Sequence, residues 1–174
     1  MALAIRFAVP ADAPELARLR WDFRADEHDR QSRSEFMAEC TAWLDAAMNS
    51  ERWLVIVAAA QGVPGRADNL VGCMYLQLVE KVPIPGAIHR AWGYVTNVYV
   101  EADWRSQGIG GQMLDLLTAA GREQALEFLI VWPSEEAVPF YRRAGFRPAA
   151  EIHARPDDYP PLELEIKSTQ VDMD

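Results

Sequence analysis

The segment Trp53 to Ala60 reads WLVIVAAA, an unbroken apolar run rich in β-branched side chains. Such a run is expected of a strand buried on both faces, so the chain must build a sheet that is covered on each side. Two more long strands follow, Leu70 to Val79 and Ala91 to Val100. Gln61 to Asn69 and the Val82 to Ala87 stretch (VPIPGA) hold the glycines and prolines of connecting turns. The three strands therefore predict an antiparallel meander. Ahead of them, Ala4 to Val9 reads as a first strand stopped by Pro10, with Asp12 placed to cap a helix over Ala13 to Arg24. Leu16, Leu19, Arg20 and Phe23 keep helical spacing there. The polar stretch Ala25 to Arg33 is a loop or a poorly packed helix end. Ser34 then opens a second helix whose apolar face is Phe36, Cys40, Trp43, Leu44 and Ala47.

Past the meander the pattern alternates: a helix from Gly108 to Gly121, a strand at Ala125 to Trp132, and a helix from Glu135 to Ala144 ended by Gly145. A final strand is expected at Leu162 to Ile166. The order predicts a mixed α/β sheet flanked by helices, in one domain over 1–167 with a flexible tail at 168–174. A chain of 174 residues can bury a core without metal or disulfide staples. Cys40 and Cys73 form no CxxC pair and read as reduced core thiols. His28, His89 and His153 are scattered, so no metal site is expected.

Acidic residues number 26 against 17 basic ones, a formal charge of -9. That argues against nucleic acid or an anionic membrane as partner and mildly favours a cationic one. With no leader pattern and no apolar run of membrane-spanning length, the expected location is the cytoplasm.

The segment with most chemistry in it is Arg105-Ser106-Gln107-Gly108-Ile109-Gly110-Gly111, between the third long strand and its helix. Glycines let backbone N–H groups converge at a helix start, where the dipole attracts an anion such as a pyrophosphate. Arg105 can add a charge-assisted bond. The plainer reading is a helix start that needs glycine for packing. A P-loop is excluded because no lysine follows the glycines, and a dinucleotide fingerprint because the third glycine is displaced and the loop follows an antiparallel meander.

Arg105-x-x-Gly108-x-Gly110 resembles the [QR]-x-x-G-x-[GA] signature of the GCN5-related N-acetyltransferase (GNAT) superfamily, and Thr96 to Val100 looks like that family's fourth strand. Ala137 to Phe146 (AVPFYRRAGF) is similar to its A-x-x-F-Y-x-x-x-G-F segment. The resemblance implies a GNAT-like acyl-CoA N-acyltransferase fold, with a central, mostly antiparallel twisted sheet, and acetyl-CoA as co-substrate without a metal. It implies a β-bulge that frees backbone groups of Val98, Tyr99 and Val100 for the pantetheine arm, with the Val98 N–H facing the thioester carbonyl. Arg105, Ser106, Gln107, Gly108, Ile109, Gly110 and Gly111 would hold the pyrophosphate. Tyr141 would contact the cofactor and protonate the leaving thiolate. Ser134 stands where relatives often carry a pantetheine-binding asparagine, and it either makes such a bond or caps a helix.

The same resemblance implies a small-molecule or peptide amine as acceptor, with a homodimer left open. Tyr94 occupies the position where some relatives place a glutamate base. Tyr94, Asn97, Glu27 and His28 are the candidate acceptor contacts, and the segment His153 to Tyr159 is another source of them. No base can be assigned. Two readings compete with the enzyme: an acyl-CoA-binding or sensing module without turnover, and a partner-binding α/β domain with no ligand.

Overall fold

The buried run is the second strand of a five-stranded sheet. The computed structural model describes residues 3–60 and 69–148, and the chain divides into two compact units at Pro133/Ser134. The first unit contains β1 (Leu3–Phe7), α1 (Ala13–Phe23), α2 (Arg33–Met48), β2 (Trp53–Ala60), β3 (Asn69–Glu80), β4 (Ala91–Val100), α3 (Ile109–Glu123) and β5 (Leu129–Ile130). The strands lie side by side in chain order, β1 to β4 antiparallel and β5 parallel to β4. The mixed α/β sheet and its antiparallel meander are as the sequence predicts.

Both faces of the sheet are covered. Leu16 and Leu19 of α1 and Leu44 of α2 form one cluster with Val55, Val57, Cys73 and Tyr75. The alternate residues Ile56, Met74 and Leu76 are equally buried but outside that cluster, so they point to the opposite face. There α3 packs on β2, β3 and β4 with Met113, Leu114 and Leu117. Each such leucine contributes about 1.5–3 kcal/mol by leaving water. Arg18 fastens α1 to the far end of β4, with salt bridges to Glu15, Asp22 and Glu101 (2.8–2.9 Å) and a bond to the Leu70 carbonyl (2.7 Å).

Some local expectations change. Ser32, not Ser34, caps α2, in a reciprocal box with Glu35. Asp12 makes no cap bond to α1; its carboxylate accepts from Arg6 and from the Val9 N–H. The strand expected at Ala125 to Trp132 shrinks to Leu129–Ile130, because the chain spends its first residues turning: Ala125 is left-handed (φ 52°) and the Leu126 N–H bonds back to Gly121 (2.9 Å). Gly93 lets β5 approach, since a Cβ there would lie 2.7 Å from Leu129.

In the second unit, a 3-10 turn (Glu135–Ala137) leads into α4 (Val138–Arg143), and Gly145 leaves it at φ 92°. The strand expected at Leu162 to Ile166, the segment His153 to Tyr159, the tail at 168–174 and all but the end of the turn at Gln61 to Asn69 lie outside the described residues. Among the described residues no helix is long and apolar enough to cross a membrane.

Candidate active site

β4 pairs with β3 first as Tyr75↔Thr96 and then as Cys73↔Tyr99, so Asn97 and Val98 together stand opposite Met74. Two residues against one is a β-bulge. Asn97 forms it in the left-handed region, at φ 48°, which asparagine tolerates better than most side chains. On its other side β4 meets β5 only at Gly93 and Tyr94. From Val95 onward that edge has no strand partner among the described residues. The Glu101 N–H donates to the Val71 carbonyl across the β3 ladder (2.9 Å). Alternation then turns Tyr99 toward β3 and Val98 and Val100 toward the open edge. The three residues are thus separated: Val98 and Val100 offer backbone groups to that edge, whereas Tyr99 offers its ring, packed on Phe23 and under Arg105.

Beyond β4 the chain enters α3 through two left-handed residues, Ser106 (φ 60°) and Gly108 (φ 77°). The buried Ile109 anchors the start of the helix. The first N–H groups of a helix lack internal partners and sit at its positive end. A side chain at Gly108 would strain the backbone. At Gly111 a Cβ would meet nothing within 4 Å, so packing within the chain gives no reason for glycine there. Arg105 Nε donates to the Val100 carbonyl (2.8 Å), and the Gln107 amide donates to the Asp103 carbonyl (3.0 Å).

Beside the bulge, on the face covered by α1 and α2, lies a cavity of about 620 Å³, a size suited to a small ligand. Tyr75, Tyr94, Thr96 and Asn97 line it from the sheet. Phe36, Glu39, Cys40 and Trp43 line it from α2, with Arg20 from α1 and Trp53 from β2. The apolar face of α2 is therefore only partly core: Leu44 and Ala47 are buried, while Trp43 is 50% exposed and stands edge-on to Trp53. A cavity of about 1040 Å³ opens at the opposite end of β4, around Ala91. Lys81 and Arg90 there hold the Glu127 carboxyl below its usual range. Though larger, it has neither the bulge nor the glycine turn.

Asn97 joins the bulge to the cavity. Its Oδ1 accepts from Arg20 Nη1 at 2.7 Å. The half-buried Arg20 has no salt bridge among the described residues, and burial together with the charge of Arg24 pulls its pKa below the usual arginine value. The Tyr75 hydroxyl is buried close to the Asn97 side chain without a well-formed hydrogen bond. The sequence holds both cysteines away from the glycine turn, yet the fold brings Cys73 against Asn97, its Sγ 3.8 Å from the Asn97 carbonyl, and puts Cys40 in the cavity wall. Burial pushes the Cys73 thiol up to about 12 and raises that of Cys40, so both are neutral thiols rather than nucleophiles near pH 7.

Of the expected acceptor contacts, Tyr94 and Asn97 line the cavity, and Glu27 and His28 do not. Glu27 is paired with Arg24 and Arg30. His28 stacks on Trp21 (3.8 Å) and donates Nε2–H to the Trp21 carbonyl (2.8 Å). Arg20, Tyr75 and the α2 face also line the cavity, and the sequence reading does not place them there. The available signals were an arginine at a core-facing helical position and a tyrosine inside an apolar strand.

In the second unit, Ser134 precedes the 3-10 turn without a side-chain cap bond; its carbonyl accepts from Ala137 and Val138. Tyr141 is buried on α4, edge-on to Phe140 (4.9 Å) and Phe146 (5.4 Å).

Comparison with known proteins bears on what these elements form. The glucosamine 6-phosphate N-acetyltransferase of Trypanosoma brucei brucei is 30% identical over 79 residues, 45% of this chain and 52% of that protein, so the match spans about half the relative's length. A crystal structure of a Trypanosoma brucei acetyltransferase has the same fold, with a TM-score of 0.65 and 22% identity, covering 95% of this chain and 100% of that one. So does a predicted acetyltransferase of Clostridium acetobutylicum determined with acetyl-CoA, with a TM-score of 0.67 and 20% identity over 93% and 96% of the two chains. The family model of the acetyltransferase (GNAT) domain matches residues 50–148, a stretch holding the bulged strand, the glycine turn and α4. With fold and family model in agreement, the chain belongs to the GNAT acetyltransferase family.

Proposed function

We propose that the chain transfers an acetyl group from acetyl-CoA to a primary amine by direct attack. The observation that carries this reading is the left-handed bulge at Asn97, which turns the Val98 backbone to an open strand edge beside a cavity of ligand size. Val98 and Val100 take the pantetheine arm as an added strand. The amides from Ser106 to Gly111, with Arg105 swung off Val100, take the pyrophosphate; the bare backbone at Gly111 supports this assignment. The family resemblance assigns Ser134 a bond to the pantetheine.

In the reaction the amine nitrogen attacks the thioester carbon and a C–N bond forms. The oxyanion gathers at the Val98 N–H. The C–S bond then breaks, and the departing thiolate takes its proton from Tyr141, the role the A-x-x-F-Y resemblance assigns it. The acceptor arrives as an ammonium and loses two protons: one leaves through water at the cavity mouth, past Tyr94 and Glu39, the one carboxylate lining the cavity among the described residues, and the other, shed as the amide forms, restores the Tyr141 phenol. The products are an N-acetyl amine, free CoA thiol and one proton.

Release of free thiol from acetyl-CoA, measured against a panel of amines, tests the reading. An active amine is expected, and Tyr141→Phe is expected to lower kcat by about 10²-fold or more while leaving acetyl-CoA binding intact. Tight acetyl-CoA binding with no thiol release for any amine would mean a sensing module. No melting shift with acetyl-CoA would remove the donor assignment altogether.

A further inference from the structure

The two arginines on α1 differ in a way that describes the acceptor. Arg18 is saturated by three carboxylates and a backbone carbonyl. Arg20, at the wall of the cavity, has the neutral Asn97 amide and the Phe23 ring but no carboxylate among the described residues. A half-buried guanidinium without a counter-ion loses hydration and gains no charge partner, which is costly unless a ligand brings the anion. A second unmet group faces the same place. The Tyr75 hydroxyl is buried, lines the cavity, and lacks a well-formed bond, although Tyr75 and Arg20 are close enough to influence each other's charge.

Position limits the kind of anion. Arg20 holds the side chain of Asn97, and the next residue, Val98, carries the proposed oxyanion donor. An anion on Arg20 therefore sits near the attacked carbon, and hence near the attacking nitrogen. A carboxylate on the carbon that bears the amine fits this separation. A phosphate at the far end of a sugar does not. Phe36, Trp43 and Trp53 give the wall an aromatic part, and Glu39 on α2 adds one carboxylate that can meet the ammonium of a zwitterionic acceptor.

Resting on the acetyltransferase reading above, we propose that Arg20 and Tyr75 bind the carboxylate of an amino-acid acceptor whose bulky apolar side chain lies against Phe36, Trp43 and Trp53. Arg20 donates to the carboxylate as it keeps Asn97, and Tyr75 donates its hydroxyl proton to the second oxygen.

The test uses the whole chain with phenylalanine, phenethylamine (the same body without the carboxylate) and glucosamine 6-phosphate. Binding is read by tryptophan fluorescence, since Trp43 and Trp53 line the cavity, and turnover by thiol release. Phenylalanine is expected to bind roughly 10- to 100-fold tighter than phenethylamine, the worth of a charge-assisted pair. Arg20→Gln is expected to erase that ratio through KM, with the acetyl-CoA melting shift unchanged, and Arg20→Lys to restore part of it. Equal affinity for phenylalanine and phenethylamine, or a preference for glucosamine 6-phosphate, overturns the proposal even if thiol is released. A phenylalanine preference that depends on Arg20 without thiol release upholds this site and instead refutes the acetyltransferase reading.

Discussion

The open edge of β4 and the cavity beside it make opposite demands on sequence. In the proposed reading the edge and the glycine turn act through backbone groups of Val98, Val100 and the start of α3, so side chains matter there mainly by absence or by permitting a left-handed turn. The cavity is lined by side chains gathered from α1, α2 and three strands. A site made of backbone tolerates drift in neighbouring residues but not in the residues that shape the chain path. A site made of side chains can be rewritten one position at a time. On the proposed function, donor recognition is fixed by conformation and acceptor recognition by composition.

The sharpest way to break this division is at Asn97, which belongs to both regions. Asn97→Val forces a β-branched residue into the left-handed region, at a cost of about 1–3 kcal/mol. It is expected to weaken acetyl-CoA binding and acceptor turnover together, each by about tenfold or more. Asn97→Gly permits the same left-handed backbone and loses the side-chain contacts to Arg20 and Cys73, so it should raise the acceptor KM and spare the acetyl-CoA melting shift. If both variants act alike, the two regions are not separable.

A smaller effect is expected at Gly111, at the start of α3. Alanine there meets open space and suits a helix, so Gly111→Ala should leave stability equal or raise it by up to about 1 kcal/mol. Acetyl-CoA affinity should fall several-fold, as titration calorimetry can show. A more stable protein with unchanged affinity would take the pyrophosphate away from this turn.

The weakest effect concerns pH. Cys73 and Tyr75 are both held neutral by burial, Cys73 up to about 12 against an ordinary 9.0 and Tyr75 also raised. The unfolded chain releases those protons first, so their contribution is complete below about pH 9 and is lost as pH rises toward about 12. The melting temperature should fall across that window, and less steeply in Cys73→Ala. An equal slope would mean that other groups govern it.

How much could be read from the sequence follows the same division. β2 begins and ends where its apolar run does, because burial on both faces leaves no polar residue to blur the ends. The glycine turn was legible as a turn because its left-handed residue at Gly108 calls for glycine. β5 was overestimated, since Ala125 and Leu126 look strand-like but form a turn held by Gly121. The face of α2 read as core because a pocket wall and a core wall share the same periodicity, and Arg20 passed as one more member of the α1 pattern. Periodicity reports that a side chain leaves bulk solvent. It does not say whether protein or ligand replaces the water.

One residue also limits how this family member can diversify. The side chain of Asn97 holds Arg20 and its backbone bends the strand that presents Val98. If the proposed function holds, a mutation there alters acceptor preference and donor geometry at once, so a lineage changing its acceptor would be trapped at this position. α2 is free of that constraint: Phe36, Glu39, Cys40 and Trp43 shape the cavity from a helix outside the β4 ladder. New specificities, whether arising in nature or at the bench, are expected to be written on α2 while Asn97 stays as it is.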